Sequence, residues 1–377
     1  MEMENKKVAL IHDFLIAPGG AERVLAVLSE MYPKAPIYTL LYDKEKMAGM
    51  FQGKDIRPSY LQKFPKFLRK HYQWLLPFFP VVPETFDLRE YDLVISSSGA
   101  WSKGIVTKLN TIHVAYIHSP MRFVWDYNER YLKEKKIKPS IFKRFVFNYL
   151  RVWDRLAADR PDYLIANSQY TQKRIEKYYR RESQVIYPPV NLSSVISHHS
   201  SNSIADDRLP MTDYFLVVSR LSAYKKVDMV VEAFNKLGLS LVIIGQGEQE
   251  KYLRKIASSN VEILGWQKDE VVKNYYKNAT AFIFPVEDDF GIAPVEAMLH
   301  GVPVIAYKDG GALEIIKEGI TGEFFDSQTP EVLADGVRRF MVNKDRYDRE
   351  TIIIKAEEFN KERFKREIEC YIEKVIK

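Results

Sequence analysis

The chain has 377 residues, of which 46% are hydrophobic and 28% charged, with 56 Lys+Arg against 50 Asp+Glu for a formal net charge of +6. This composition excludes a disordered or membrane-embedded chain, and the length exceeds one ordinary core, so two domains are expected. A single cysteine, Cys370, excludes a disulfide within the sequence and any Cys-based zinc site, and an idle thiol in a reducing compartment is its plain reading.

The net charge conceals a split. Residues 1–190 hold 31 basic and 20 acidic side chains, net +11, while residues 191–377 hold 25 and 30, net −5. Such asymmetry points to a polyanionic partner on the first half: nucleic acid, a phosphorylated substrate or an anionic membrane face. The acidic start, Met1-Glu2-Met3-Glu4-Asn5, and the short first apolar run predict no secretory signal, hence a cytoplasmic protein.

In chain order, apolar runs recur at Val8–Ile11, Ile37–Tyr42, Leu93–Ile95, Val114–Ile117 and Tyr163–Ala166. They are too short for helices and lack period-two alternation, so they predict strands buried on both faces of a parallel sheet. Helical patterns lie between them, such as Glu22–Tyr32, with Val24, Leu25, Leu28 and Met31 on one face, and Lys143–Leu156. The most lipid-like stretch, Trp74 to Pro83, contains Pro77, Pro80 and Pro83 and falls far short of the roughly 20 residues of a spanning helix. From Ser193 to Thr212 the texture turns polar, which predicts a linker or surface loop; His198-His199 within it lacks the companion ligands of a metal site. The strand–helix rhythm then resumes at Phe215–Val218, Leu241–Ile244, Val261–Leu264, Ala281–Phe284 and Val302–Ala306. The expected architecture is α/β, with two Rossmann-like doubly wound domains at 1–192 and 213–355 joined by 193–212. Phe359, Phe364, Ile368, Ile372 and Val375 then mark an amphipathic helix over 356–377 that needs a docking surface on one domain.

Doubly wound domains bind ligands at the carboxyl ends of their strands, so the residues after each strand carry the functional reading. After the first strand come His12-Asp13 and then Pro18-Gly19-Gly20-Ala21-Glu22-Arg23. Glycines opening a helix suit an anion, and equally an ordinary tight turn. The spacing is not the G-x-G-x-x-G of a dinucleotide fingerprint, which argues against a dehydrogenase. After Val114–Ile117 comes His118-Ser119-Pro120-Met121-Arg122, where a histidine at the strand end can hydrogen-bond a ligand or serve structure alone. Arg220 ends a strand and Lys225 starts the next helix, two cations suited to a diphosphate or a solvated loop. The fourth place runs Phe284-Pro285-Val286-Glu287-Asp288-Asp289-Phe290-Gly291-Ile292-Ala293-Pro294-Val295-Glu296. Its carboxylates could answer the helix dipole, but Glu296 lies in an apolar helical segment, where a hydroxyl-rich ligand is a natural partner.

The order of Gly19-Gly20, His118, Arg220 with Lys225, and the loop ending in Glu296 resembles the retaining glycosyltransferases of family 4, and the resemblance covers nearly the whole chain. It implies the GT-B fold, two Rossmann-like domains facing across a cleft, with an acceptor-binding first domain and a nucleotide-sugar donor second domain. Phe86 through Ser98, His118 through Asp126, and Tyr187-Pro188-Pro189-Val190 resemble mannosyltransferases that build O-antigen-like polysaccharides, so GDP-mannose is the expected donor, with a UDP- or dTDP-sugar as the alternative. Position by position, the resemblance assigns Arg220 and Lys225 to the donor diphosphate, Glu296 to the ribose and His118 to the transferred sugar. Gly19, Gly20, Gly245, Gly247, Trp266, Phe290, Gly291 and Ile292 complete the implied donor site. The family's E-x7-E signature, counted back from Glu296, falls on Asp288, with Glu287 one residue earlier. The chain departs from the pattern there, and either residue is a candidate for the sugar hydroxyls.

The implied mechanism follows from charge. Cleavage at the anomeric carbon leaves an oxocarbenium-like sugar and loads negative charge on the departing diphosphate. Preset cations there are worth about 3 kcal/mol each, roughly a hundredfold in rate. Retention is expected with the leaving phosphate accepting the acceptor's proton, and no cofactor or Mg²⁺ is expected, because cations already serve the diphosphate. On the acceptor side, Lys63, Lys66, Arg69 and Lys70 interleave with Tyr60, Phe64, Phe67, Tyr72, Trp74, Phe78 and Phe79, and Arg122 follows His118. Such mixing suits an anionic membrane surface presenting a glycan or polyprenyl-diphosphate-linked acceptor, joined by the basic run Lys133–Lys138. No nucleic-acid-binding module accompanies it. A sugar-nucleotide epimerase and a non-catalytic sugar-nucleotide-binding subunit are the rival readings.

Overall fold

A computed structural model describes residues 6–47, 49–126, 140–190 and 213–376. The expected linker 193–212, with His198-His199, and the basic run Lys133–Lys138 lie outside them. The chain forms two compact units, Met1–Pro189 with Glu362–Lys377, and Val190–Lys361.

The first unit holds a seven-stranded sheet of β1 (Val8–Leu15), β2 (Ile37–Tyr42), β3 (Ile56–Pro58), β4 (Leu93–Ser98), β5 (Ile112–Ile117), β6 (Tyr163–Ala166) and β7 (Gln184–Val185) in the order β3-β2-β1-β4-β5-β6-β7, every pair parallel. The second repeats the plan with β8 (Tyr214–Val218), β9 (Leu241–Ile244), β10 (Val261–Gly265), β11 (Ala279–Phe284), β12 (Val304–Tyr307) and β13 (Gly322–Phe325), ordered β10-β9-β8-β11-β12-β13 and again all parallel. Helices cover both faces, which is why the strand sequences are apolar throughout rather than alternating. In the first unit Val24, Leu25 and Leu28 of the helix Gly20–Met31 share a core with Leu10, Ile95 and Val114. In the second, Val230 and Phe234 of Val227–Leu237 pack with Phe215, Ile243 and Ile283. Among the described residues no helix is long and apolar enough to cross a membrane.

Three details differ from the sequence reading. β1 continues past Ile11 to Leu15 and β4 past Ile95 to Ser98, so His12, Asp13 and Ser96 to Ser98 are strand residues, not loop. Short strands β3, β7 and β13 extend the sheets beyond the apolar runs. The C-terminal segment is not one helix: Arg349–Glu357 ends before Phe359, whose ring lies 5.3 Å from Phe290, and a separate helix Lys361–Ile376 buries Phe364, Ile368 and Ile372 in the core of the first unit.

His113 on β5 is fully buried, with Nε2 at 2.8 Å from Ser96 Oγ. Burial, reinforced by the positive Arg160, pushes its imidazole down to about 3. The unfolded chain therefore binds a proton near pH 6.5 that the folded chain refuses, so stability falls as pH drops from about 6.5 toward 3, by about 1.4 kcal/mol per unit. Urea unfolding at pH 7 and pH 5 is expected to show about 2 kcal/mol of loss in the wild type and a clearly smaller loss in His113→Asn.

Candidate functional site

In both sheets the strand order reverses beside the first strand, at β1/β4 and at β8/β11, the places where parallel sheets open a crevice at their carboxyl ends. At the first reversal His12 of β1 lies in register with Ser97 of β4. Ser97 Oγ sits 3.1 Å from His12 Nδ1 and 2.7 Å from His118 Nε2. His118 is placed by its own backbone: its N–H donates to the Ser98 carbonyl at 2.8 Å, and Asn167 Nδ2 donates to its carbonyl at 3.0 Å. Beyond it, Arg174, nearly buried, donates to both Asp126 oxygens at 3.0 and 2.9 Å and to Ser119 Oγ at 2.7 Å, tying down the turn that contains half-buried Arg122.

Asp13, next to His12, anchors this end of the sheet. Its carboxylate accepts backbone N–H groups from Gly99 at 2.9 Å, Ala100 at 2.7 Å, Trp101 at 3.0 Å and Ser102 at 2.6 Å. A buried ion pair supports the same loop from its far side: Lys103 Nζ lies 2.5 Å from Asp154 Oδ1, with side chains 1% and 0% exposed. Asp154 also accepts from Trp125 Nε1 at 2.8 Å and Tyr179 Oη at 2.9 Å, so this buried carboxylate is fully compensated.

Gly19 caps the helix Gly20–Met31 in an extended conformation. A Cβ on Gly19 would lie 2.7 Å from Glu22 Oε2, so the missing side chain leaves room for Glu22 to fold back toward His12, whose Nε2 is 3.5 Å from Glu22 Oε1. Burial works against the Glu22 charge, but the His12 contact outweighs it and holds the carboxyl below its ordinary range.

At the second reversal Lys225 Nζ meets Asp288 Oδ2 at 2.6 Å. Lys225 ends a short 3-10 turn, Ala223–Lys225, rather than starting the next helix, and Arg220 is exposed in the same loop. Gly245 and Gly247 pack against that loop so closely that a Cβ would meet the Ser219 and Leu221 carbonyl oxygens at 1.8 and 2.2 Å. Trp266, just past β10, is 61% exposed. Gly291, at φ 99°, opens the helix Ile292–Leu299 beneath the Phe284 ring. Glu296 on that helix accepts from Tyr276 Oη at 3.4 Å, and His300 Nδ1 donates to the Glu296 carbonyl at 2.8 Å while its ring stacks on Tyr276. Phe290 is buried, whereas Glu287 and Ile292 are half-buried. Lys63 and Lys66 are exposed, Arg69 Nε donates to the Phe64 carbonyl at 3.1 Å, and Trp74 is 67% exposed. Among the described residues no group of three or more His, Cys, Asp or Glu could hold a metal ion.

Sequence reasoning missed Ser97, Glu22 and Asp13 as site-shaping residues, and also Gly310-Gly311, where Gly311 N–H donates to the Asp288 carbonyl at 2.9 Å and a Cβ at Gly311 would meet Phe290 Cα at 2.4 Å. A double glycine after β12 repeats the Gly19-Gly20 signal after β1 and was readable on that ground.

The family model for glycosyltransferase family 4 matches residues 18–194, and that for glycosyl transferases group 1 matches residues 203–359. The chain belongs to glycosyltransferase family 4 and has the GT-B fold. An uncharacterized glycosyltransferase of Methanocaldococcus jannaschii is 24% identical over 71% of this chain and 70% of its own. A GDP-mannose-dependent alpha-(1-6)-phosphatidylinositol monomannoside mannosyltransferase of Mycobacterium tuberculosis is 26% identical over 51% of this chain and 56% of its own. The chain spans about half the length of several curated relatives it matches. Among solved structures, Anabaena HepE in complex with UDP-glucose superposes with a TM-score of 0.72 at 19% identity, covering 98% of this chain and 100% of that one.

Removing the Asp13 carboxylate leaves four N–H groups without their acceptor. Asp13→Ala is expected to lower the unfolding free energy by about 3–5 kcal/mol in urea, with Asp13→Asn recovering part of it.

Proposed function

We propose that the protein is a retaining hexosyltransferase that moves mannose from GDP-mannose onto a glycan or a polyprenyl-diphosphate-linked acceptor in cell-surface polysaccharide synthesis. The observation that carries this reading is the pairing of Lys225 with Asp288 across β8/β11, on a unit that also presents Arg220 and Glu296 from strand-end elements. The donor diphosphate takes the place of Asp288 as the anion on Lys225, with Arg220 supplying a second, planar cation. The same pairing supports Asp288, rather than Glu287, in the first place of the family signature. Glu296, steadied by Tyr276, faces the ribose, and His118 faces the transferred sugar. Cations set in place before the reaction stabilise charge that grows on the leaving diphosphate, so they act on the transition state more than on the ground state.

Mannose rests on relatives such as the mycobacterial GDP-mannose-dependent enzyme. A second donor reading, a UDP-sugar, draws on the fold-level likeness to HepE bound to UDP-glucose. No metal takes part in the proposed chemistry. The acceptor side is proposed to meet an anionic membrane surface. Phe67, Trp74 and Phe78 are 59%, 67% and 64% exposed, and the helix Ile141–Ala157, whose inner face shares a core with Leu61, Leu75 and Leu76, leaves Ile141, Phe142 and Phe145 at 69% exposure or more. Phe79 does not belong to that surface, because it is buried in the core.

Transfer of labelled sugar from GDP-mannose, UDP-glucose and dTDP-glucose to a polyprenyl-diphosphate-linked acceptor tests the reading. GDP-mannose is expected to be used best, with full activity in excess chelator and a loss of about a hundredfold in Arg220→Ala. Exclusive use of a UDP-sugar overturns the mannose assignment, metal-dependent rescue overturns the metal-free chemistry, and unchanged turnover in Arg220→Ala overturns the site. Co-sedimentation at low salt is expected to favour vesicles with anionic lipid over neutral ones, and equal binding refutes the membrane role.

A further inference from the structure

We propose that Glu22, His12 and Ser97 form a hydrogen-bond relay that fixes which ring nitrogen of His118 holds the proton, so that His118 meets its ligand as a hydrogen-bond acceptor. The argument is one of polarity. Ser97 Oγ lies between two imidazoles, 3.1 Å from His12 Nδ1 and 2.7 Å from His118 Nε2, and a hydroxyl has a single proton to donate. Ser97 is fully buried and His12 is 2% exposed, so water does not decide the direction. On the other side of His12, Nε2 is 3.5 Å from Glu22 Oε1. An ionised carboxylate only accepts, so the Glu22 contact requires the proton of an uncharged His12 to sit on Nε2. His12 Nδ1 is then bare and takes the Ser97 hydroxyl proton. The oxygen of Ser97 in turn accepts from His118 Nε2–H, and in an uncharged His118 this leaves Nδ1 as the acceptor nitrogen. Reversing the chain would require a proton on His12 Nδ1, which would turn His118 Nδ1 into a donor.

Gly19 belongs to the device. Its φ of −163° is open to any residue, so its role is spatial: a Cβ would stand 2.7 Å from Glu22 Oε2. Glu22, His12 and Ser97 are thus positioning residues that act through His118. The functional consequence rests on the transferase reading, in which an acceptor nitrogen on His118 takes the proton of a sugar hydroxyl in a hydrogen bond and orients the ring for reaction.

The test is ¹⁵N–¹³C correlation NMR of the full chain labelled at histidine, at pH 8, with His118 assigned from His118→Ala. The wild type is expected to show a protonated Nε2 and a bare Nδ1 on both His12 and His118. Glu22→Gln, which keeps an acceptor oxygen, retains that pattern, whereas Glu22→Ala, Gly19→Ala and Ser97→Ala give mixed tautomers of His118. In parallel, kcat for transfer is expected to fall about tenfold in Glu22→Ala with KM within about twofold, and to recover in Glu22→Gln. A proton on His118 Nδ1 in the wild type, or a tautomer indifferent to Ser97→Ala and Glu22→Ala, overturns the relay. The spectra need no donor, so absence of transfer with every sugar nucleotide would refute the functional reading while leaving the relay standing.

Discussion

The carboxylate of Asp13 receives four consecutive backbone amides, and the functional edge of the first unit depends on that contact. A chain leaving a buried strand must satisfy its N–H groups before it can turn, and few partners other than an anion can take four of them at one point. By holding residues 99–102, Asp13 stops β4 at Ser98 and fixes Ser97 against His12. The second unit reaches the same end by another route. There, Gly245 and Gly247 press on the loop of Arg220, and Gly310-Gly311 press on the loop of Asp288, backbone against backbone at distances that admit no side chain. The first edge is held by one carboxylate, and the second by close backbone contact together with the Lys225–Asp288 ion pair.

Both solutions serve one topological fact. Where the strand order reverses, neighbouring strands send their following segments to opposite faces of the sheet, and the carboxyl ends between them stay open. His12 and Ser97 meet at one such opening, and Lys225 and Asp288 at the other. In the proposed function these openings hold a diphosphate and a sugar. That reading draws on the cations of the second unit and on the imidazole of His118 in the first. The split in charge fits the same division: the +11 of residues 1–190 is spread over the half proposed to face acceptor and membrane, while the second half, at −5, carries the two cations proposed for the diphosphate.

Much of this was legible from sequence for a physical reason. Strands buried on both faces are short continuous apolar runs without alternation, and ten of them stood out on that ground. The same rule failed at the edges. His12, Asp13 and Ser96 to Ser98 are polar yet belong to strands, because their partners lie across the sheet and not along the chain. The edge strands β3 and β7 are too short and too polar to announce themselves. The C-terminal pattern suggests one helix, but its five-residue step from Phe359 to Phe364 marks the break: Phe359 packs on Phe290 and the residues from Phe364 onward pack on the first unit. Arg220, Lys225 and Glu296 were visible as chemistry placed after strands. The relay was not, since Glu22, Ser97 and His118 are far apart in sequence and only the pairing of β4 with both β1 and β5 brings them together.

The strand ends of the second unit are proposed to seat a nucleotide sugar. A crystal structure of the protein with an intact GDP-sugar or UDP-sugar tests it most directly. The account predicts diphosphate oxygens within hydrogen-bond distance of Arg220 and Lys225, the ribose at Glu296, and the Lys225–Asp288 pair opened by the incoming phosphate. A nucleotide bound elsewhere, with that pair intact, would contradict it.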